Sequence, residues 1–337
     1  MAELSASGWP RRGLRLPGRA AFFRGAGTLA QTALVLLVVS IVSFLFLKAS
    51  PGDPVALMLG SDYSKESYDQ LYRQLGLDRP LPLQYLQWLG RFVQGDWGRS
   101  YISGQDIFEM AVLQALPVTL TLAALSLLIA LLVGIPLGVL AAVRRNSWID
   151  MLASAVAIGG NAFPSFYLGV LLIWWFGVAL EWFPTMGFVA PWQDLRAGLW
   201  HLVLPALTLG AWYVGLIAAT TRSSLLEVLQ QPYMTAARAR GEPAWRVVWV
   251  HGMRNVLMPL VTVIGLQLGG MLRGGVMTEV VFTLPGLGMM ITTAVQTREY
   301  IVVQAGIMIT ALLFISVNFI VDRTYTVLDP RLRRHGR

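Results

Sequence analysis

The apolar positions of this chain come in long blocks, separated by shorter polar stretches rich in arginine, glycine and proline. A bilayer core about 30 Å thick takes roughly 20 apolar residues of helix to cross. Six blocks meet that length: 28–48 around "TALVLLVVSIVSFLFL", 118–143, 151–180 around "FYLGVLLIWWFGVAL", 201–221, 256–277 and 301–321. The pattern predicts an all-α polytopic membrane protein with six transmembrane helices. The third block is long enough to tilt or to bend at Pro164.

The polar stretches then set the direction. Arg11, Arg12, Arg15, Arg19 and Arg24 precede the first block, and Arg144 and Arg145 follow the second. Arg222, Arg238, Arg240, Arg246 and Arg254 follow the fourth, and Arg323, Arg331, Arg333, Arg334 and Arg337 follow the sixth. With six spans all four groups fall on one side. In the first opposite-side loop Lys65, Arg73, Arg79, Arg91 and Arg99 are outweighed by acids such as Asp53, Asp62, Glu66, Asp69, Asp78 and Asp96. The excess of arginine predicts that both termini are cytoplasmic. The layout is then a basic segment 1–27, a transmembrane domain 28–322 with an external loop 49–117 and a cytoplasmic loop 223–255, and a tail 323–337.

Composition narrows the class. Of 337 residues, 55% are hydrophobic and 13% charged, against about 25% charged in soluble domains. The mean hydropathy is +0.60. A net charge of +8 then reads as cytoplasmic ends facing anionic lipid rather than as a nucleic-acid footprint. There is no cysteine, so neither a disulfide framework nor a thiolate metal site is expected. His201, His251 and His335 stand far apart, and no metal site is expected from them. The first block is too long for the core of a signal peptide and reads as a retained anchor.

Between the fourth and fifth blocks stands "YMTAARARGEPAWRVVWVHGMRN". Pro232 breaks or turns the incoming helix. Ala236, Ala237 and Ala239 favour a short helix over 233–240. Gly241 suits the left-handed position that ends it, and Pro243 the first turn of the next. An alanine-faced helix lets another protein come close, and such an element can carry a rigid push into the spans. A lipid-surface anchor or packing on its own bundle are the plainer readings. A DNA-binding helix-turn-helix is disfavoured, because both flanks are tied into the bilayer. In the external loop, two helical pieces separated by "DRPLP" predict a cap packed on the span ends, with Trp88, Trp97 and Tyr101 at the interface.

At "TAARARG" the chain resembles the inner-membrane permease subunits of ATP-binding-cassette importers, in particular the dipeptide/oligopeptide/nickel group and its subunit type labelled B. The family motif is Glu-Ala-Ala, three residues and glycine. Ala236, Ala237 and Gly241 match it, and Thr235 replaces the glutamate. "SPGDPV", "QLGLDRPLPLQYLQWLGRFVQGDWGRSY", "TEVVFTLPGLG" and "VDRTYTVLDPRLR" carry the same resemblance. It implies the type I importer permease fold in a bacterial inner membrane. It also implies a homologous second permease, two cytoplasmic ATPases that use ATP and Mg2+, and an extracytoplasmic substrate-binding protein. By the same resemblance Tyr233, Thr235, Ala236, Ala237, Arg238, Arg240, Gly241 and Arg246 form the seat for an ATPase. For each arginine, ordinary inside-positive charge is the plainer account.

The chain has no "GxxxxGK[ST]" stretch, so ATP hydrolysis is expected in partners and not here. No catalytic constellation is visible, and no cofactor is expected on this chain. Arg273 lies inside the fifth block, where a charge is costly and often functional. It either lines a path, with Asn161 and Gln267, or snorkels outwards or pairs with Glu279. Glu279, Pro285 and Gly286 are expected to fix an external turn against a neighbouring subunit. Dipeptides or oligopeptides are the expected solute, with nickel chelates, glutathione or sugars as alternatives. An ion-coupled carrier or a membrane scaffold that needs no ATPase is the rival class; neither a repeat nor a stand-alone span count favours it.

Overall fold

The computed structural model describes residues 18–49, 54–59, 64–74 and 76–328. The "SPGD" residues 50–53, the arginines before residue 18 and those after residue 328 lie outside them. The helices are α1 (Gly18–Ala49), α2 (Pro54–Leu59), α3 (Lys65–Gln74), α4 (Leu81–Val93) and α5 (Leu116–Val143). There follow α6 (Trp148–Ala162), α7 (Ser165–Leu172), α8 (Leu195–Leu229), α9 (Pro232–Ala239) and α10 (Ala244–Arg246). The last three are α11 (Met253–Val281), α12 (Leu287–Gln296) and α13 (Tyr300–Leu328). Wider π-helical turns precede α5 and α11 and follow α7, so the continuous helices are Glu109–Val143, Ala244–Val281 and Ser165–Ala179.

Six crossing helices were expected; among the described residues four are long and apolar enough to cross a membrane. They are Glu109–Val143, Leu195–Leu229, Ala244–Val281 and Tyr300–Val321. The third expected span is two short helices. Pro164 cannot continue α6, and Phe163 before it is extended at φ −109°, ψ 140°. The first expected span lies on α1, whose apolar part runs over Gln31–Phe46.

The centre of the bundle is α8. Two thirds of its most apolar window is buried (67%), against 33% for α5 and α11 and 39% for α13. Helices α5, α6, α7 and α11 pack round it. Small residues explain the close approach of α5. Ser126, Ala130, Gly134 and Gly138 recur every four residues, so they line one face. They meet Gly210, Val214 and Ala218, also four apart. A β-carbon on Gly138 would stand 2.5 Å from the Ala218 carbonyl oxygen, closer than atoms pack.

A second apolar cluster joins the segment between α1 and α5 to α12 and α13, through Phe92, Trp97, Ile107, Leu287 and Val302. Trp97 stacks on Phe92 at 4.6 Å between ring centres and donates its indole N–H to the Phe92 carbonyl at 3.0 Å. Glu299 ties the loop down by accepting from Ser100 Oγ at 2.7 Å and Ile102 N–H at 3.0 Å. Tyr85 of α4 meets Ser40 of α1, hydroxyl to hydroxyl at 2.7 Å.

Candidate functional site

Two regions gather the residues singled out by sequence. The first is α9 and its surroundings. Pro232 stands at the first helical position, where a missing N–H costs nothing. Gly241 has φ +77° and ends the helix. Its N–H donates to the Arg238 carbonyl at 2.9 Å and that of Glu242 to Ala237 at 3.4 Å, the paired closure of a Schellman motif. One side of α9 faces inward: Met234 and Ala237 are buried against Val247, with Val228 and Leu229 alongside. The other side is bare. Tyr233, Thr235, Ala236, Arg238, Arg240, Gly241 and Arg246 are exposed. The helix thus packs on its own bundle by one face and leaves the other open.

Polar contacts fix its angle. Glu242 accepts from Arg240 Nη2 at 2.9 Å, and its other oxygen lies 2.7 Å from His251 Nε2. The Arg240 guanidinium first, and His251 second, hold the Glu242 carboxyl below its ordinary value. Asn255 Nδ2 donates to the Tyr233 hydroxyl at 2.8 Å. Both contacts bind the α9 segment to the entry of α11. The Arg246 guanidinium rests over the Trp245 ring, 5.6 Å from its centre.

The second region is α11 and the turn beyond it. Glu279 is fully buried. It accepts from Thr119 Oγ1 at 2.7 Å, Gly288 N–H at 2.7 Å and Met289 N–H at 3.2 Å. Thr119 in turn accepts from Leu287 N–H at 2.9 Å. The carboxylate therefore closes the "TLPGLG" turn onto α5 and the start of α12 within this chain. Gly286 is buried beside it because a β-carbon there would strike the carboxylate, while Pro285 is exposed.

This geometry also removes the Arg273–Glu279 pair, one of the alternatives for Arg273, because the Glu279 carboxylate is taken up by Thr119, Gly288 and Met289. Six residues apart on a helix, the two point about 120° apart. Arg273 is exposed, and its guanidinium lies over Phe314 at 5.9 Å from the ring centre. Gln267 is half-buried and turns towards α8, where Tyr213 lies. Asn161 falls in the last turn of α6, and its side chain lies outside the described residues.

Sequence reasoning missed Asp150, Thr119, Tyr213, Glu242 and Asn255. For Asp150 a signal existed: Ser147 caps α6 and accepts from Asp150 N–H, the start of a capping pattern. Thr119 stands 160 residues from Glu279, and no local pattern links them. Among the described residues no group of three or more His, Cys, Asp or Glu could hold a metal ion.

Comparison with known proteins decides the class. The model of the family described as "Binding-protein-dependent transport system inner membrane component" matches residues 134–334, more than half of the chain. The chain belongs to this family. A companion N-terminal model, "Binding-prot-dependent transport system membrane comp, N-term", matches residues 26–123. As a binding-protein-dependent inner membrane component, the chain is a transport permease subunit and not an enzyme.

Its relatives include the "Glutathione transport system permease protein GsiC" of Escherichia coli (strain K12), 40% identical over 298 residues, 88% of this chain and 94% of that protein. The protein of that name from Salmonella typhimurium is 41% identical over the same shares. A "Putative peptide transport system permease protein" of Brucella suis biovar 1 is 40% identical over 304 residues, 90% of this chain and 96% of that one. Two inward-facing crystal forms of the MetNI methionine ABC transporter share the fold. They have TM-scores of 0.50 and 0.51 at 20% and 21% identity, covering 63% of this chain and 93% of theirs.

Proposed function

We propose that this permease subunit imports glutathione or a similarly small peptide across the bacterial inner membrane, as half of the path of an ATP-driven importer. The observation that carries the solute is the 40% identity to glutathione permeases along nearly the whole of both chains. It favours glutathione, held at first as an alternative, over the dipeptides and longer peptides expected from sequence. The peptide-permease relative supports the same class of solute.

In this reading the chain works with a second permease, two cytoplasmic ATPases that bind ATP and Mg2+, and an external binding protein. Six spans are assigned by counting α1 and the α6–α7 pair as crossings, with both termini cytoplasmic. The bare face of α9 seats an ATPase through Tyr233, Thr235, Ala236, Arg238, Arg240 and Arg246. Ala237 holds the helix from behind, and Gly241 sets where it stops. Arg273, Gln267 and Asn161 belong to the path. Closure of the ATPases would move α9, and the Glu242–His251 and Tyr233–Asn255 contacts would pass that movement into α11.

The test has two arms. The chain is purified with its operon partners and reconstituted, and ATP-dependent uptake of labelled glutathione is compared with that of a dipeptide. Uptake of neither sinks the solute assignment. In the second arm Gly241→Trp, strained at φ +77°, is expected to release the ATPase on purification. Full retention of the ATPase sinks the seat.

A further inference from the structure

A cavity of about 360 Å3 opens where the segment between α1 and α5 meets α12 and the start of α13. Small-molecule sites have volumes of about 300–1,000 Å3. One face of α12 lines the cavity, with Met289, Thr293 and Thr297 four residues apart. Met110 and Gln114, from the π-helical turn before α5, line it too. Most of the lining is apolar.

Among the described residues that line it, Glu299 alone is ionisable. It is 9% exposed. Among the described residues the ion pairs are Arg222–Asp150, Arg240–Glu242 and His251–Glu242, and none includes it. Its Oε1 accepts from Ser100 Oγ at 2.7 Å and from Ile102 N–H at 3.0 Å. Ser100 and Ile102 also line the cavity, so the carboxylate stands where three lining residues meet. Oε2 has no hydrogen bond among the described residues. The sealed side-chain atoms without a partner belong to Gln84, Thr221 and Gln304. Oε2 is not one of them, so it reaches open space, and the cavity is the space that Glu299 lines. Two neutral donors on one oxygen leave the buried charge without a counter-ion, which is costly.

A free carboxylate oxygen among apolar walls suits a cation that carries its own apolar stem. Hard metal ions take about six or more oxygen ligands, which methionine side chains do not supply. A guanidinium pairs best with both oxygens of a carboxylate, and here one is already taken. An ammonium is a compact charge with three donors. One donor to Oε2 leaves two for acceptors such as the Gln114 amide oxygen. Met110, Met289 and Met290 adapt their shape to an aliphatic stem. We infer that the Glu299 cavity binds a primary ammonium on a short aliphatic stem, either the amine end of a solute or a lysine of a docked protein. The site is separate from α9 and holds whichever solute is imported.

The chain has no cysteine, so in the purified full chain Thr293→Cys puts a single thiol on the cavity wall. Its labelling by an aminoethyl and a sulfonatoethyl methanethiosulfonate is read from the intact mass. The ammonium-to-sulfonate rate ratio is expected to fall about tenfold on adding Glu299→Gln, as charge focusing in a cleft requires. Glutamine keeps an acceptor oxygen for Ser100 and Ile102 and removes the charge. With Glu299 in place, n-butylammonium is expected to slow labelling by the uncharged methyl reagent, and butyrate, with a similar stem, to leave it unchanged. A ratio unchanged by Glu299→Gln places the charge away from the cavity and overturns the proposal. Equal protection by butylammonium and butyrate, or protection by neither, overturns it as well, and that arm needs no change at Glu299. The same protection assay separates the two sources. A dipeptide that protects while its N-acetyl form does not supports a solute amine. An external binding protein that protects until its lysines are acetylated supports a docked lysine.

Discussion

Arg222 and Asp150 meet at two points, Nε to Oδ1 at 2.6 Å and Nη2 to Oδ2 at 2.8 Å, and so lock the start of α6 to the C-terminal part of α8. Asp150 also accepts from Asn146 N–H at 3.0 Å, where the chain turns with φ +61°. Two hydrogen bonds from Arg222, and then the one from Asn146, hold the carboxyl at about 2, below the usual 3.8.

A carboxyl depressed in the folded state stabilises it above its unfolded value and ceases to do so as pH falls through the folded one. The lock is therefore complete above about pH 4 and is lost towards pH 2. Thermal midpoints of the solubilised chain are expected to fall over that window. Asp150→Asn should flatten that part of the profile and lower the midpoint at pH 7. An unchanged acid limb in Asp150→Asn would show that other carboxylates govern it.

Gly138 and Gly90 make a matched pair of tests. Gly138→Ala drives a methyl into the Ala218 carbonyl and Thr221. A cost of about 1–3 kcal/mol, as for other overpacked sites, is expected. That corresponds to a midpoint lower by on the order of 5 °C. Gly90→Ala meets nothing within 4 Å in the interior of α4. It should be neutral or stabilise by up to about 1 kcal/mol. Equal effects of the two would contradict the α5–α8 seam.

Glu279 and Thr119 should behave as one unit. Glu279→Ala strips partners from the buried Gly288 N–H, the partly buried Met289 N–H and the Thr119 hydroxyl, at about 1–3 kcal/mol or more. Thr119→Val removes part of the same network. A double-mutant cycle on unfolding is expected to give a coupling of at least about 0.5 kcal/mol. Additive losses would mean that the two close the turn independently.

The α9 clamp is tested by amide exchange. Glu242→Ala and Tyr233→Phe should each speed exchange in α9 up to roughly tenfold, the equivalent of one lost hydrogen bond of about 1 kcal/mol. Exchange in α5 should not change. Unaltered α9 protection in both variants would show that Met234 and Ala237 alone hold the helix.

Hydrophobic length and proline position made much of the fold legible. Blocks of twenty apolar residues have few alternatives to a buried or membrane helix, and Pro232 and Gly241 mark helix ends by backbone chemistry alone. Pro164 was legible as a disturbance but not as a full break, because a proline in a span may either kink or end it. The split of that span depends on the extended backbone at Phe163; with the shorter apolar part of α1 it leaves four long apolar helices among the described residues. The site was less legible for a different reason. Glu279 was visible as a charge near a span, but its partner Thr119 lies on another helix. Arg273 offered three readings until the hydrogen bonds of Glu279 to Thr119, Gly288 and Met289 removed the pair between them. Contacts across the bundle leave no periodic trace in one chain.

Helix α8 is enclosed by four neighbours, while α11 keeps exposed positions along its length. The two therefore tolerate change very differently. Substitutions at the buried positions of α8 press on several partners at once, whereas those at exposed positions of α11 such as Leu266 and Met277 press on fewer. A lineage adapting to a new solute can vary exposed positions such as Leu266 and Met277 and keep the same scaffold. The fold thus separates the part that must be inherited unchanged from the part that can diverge.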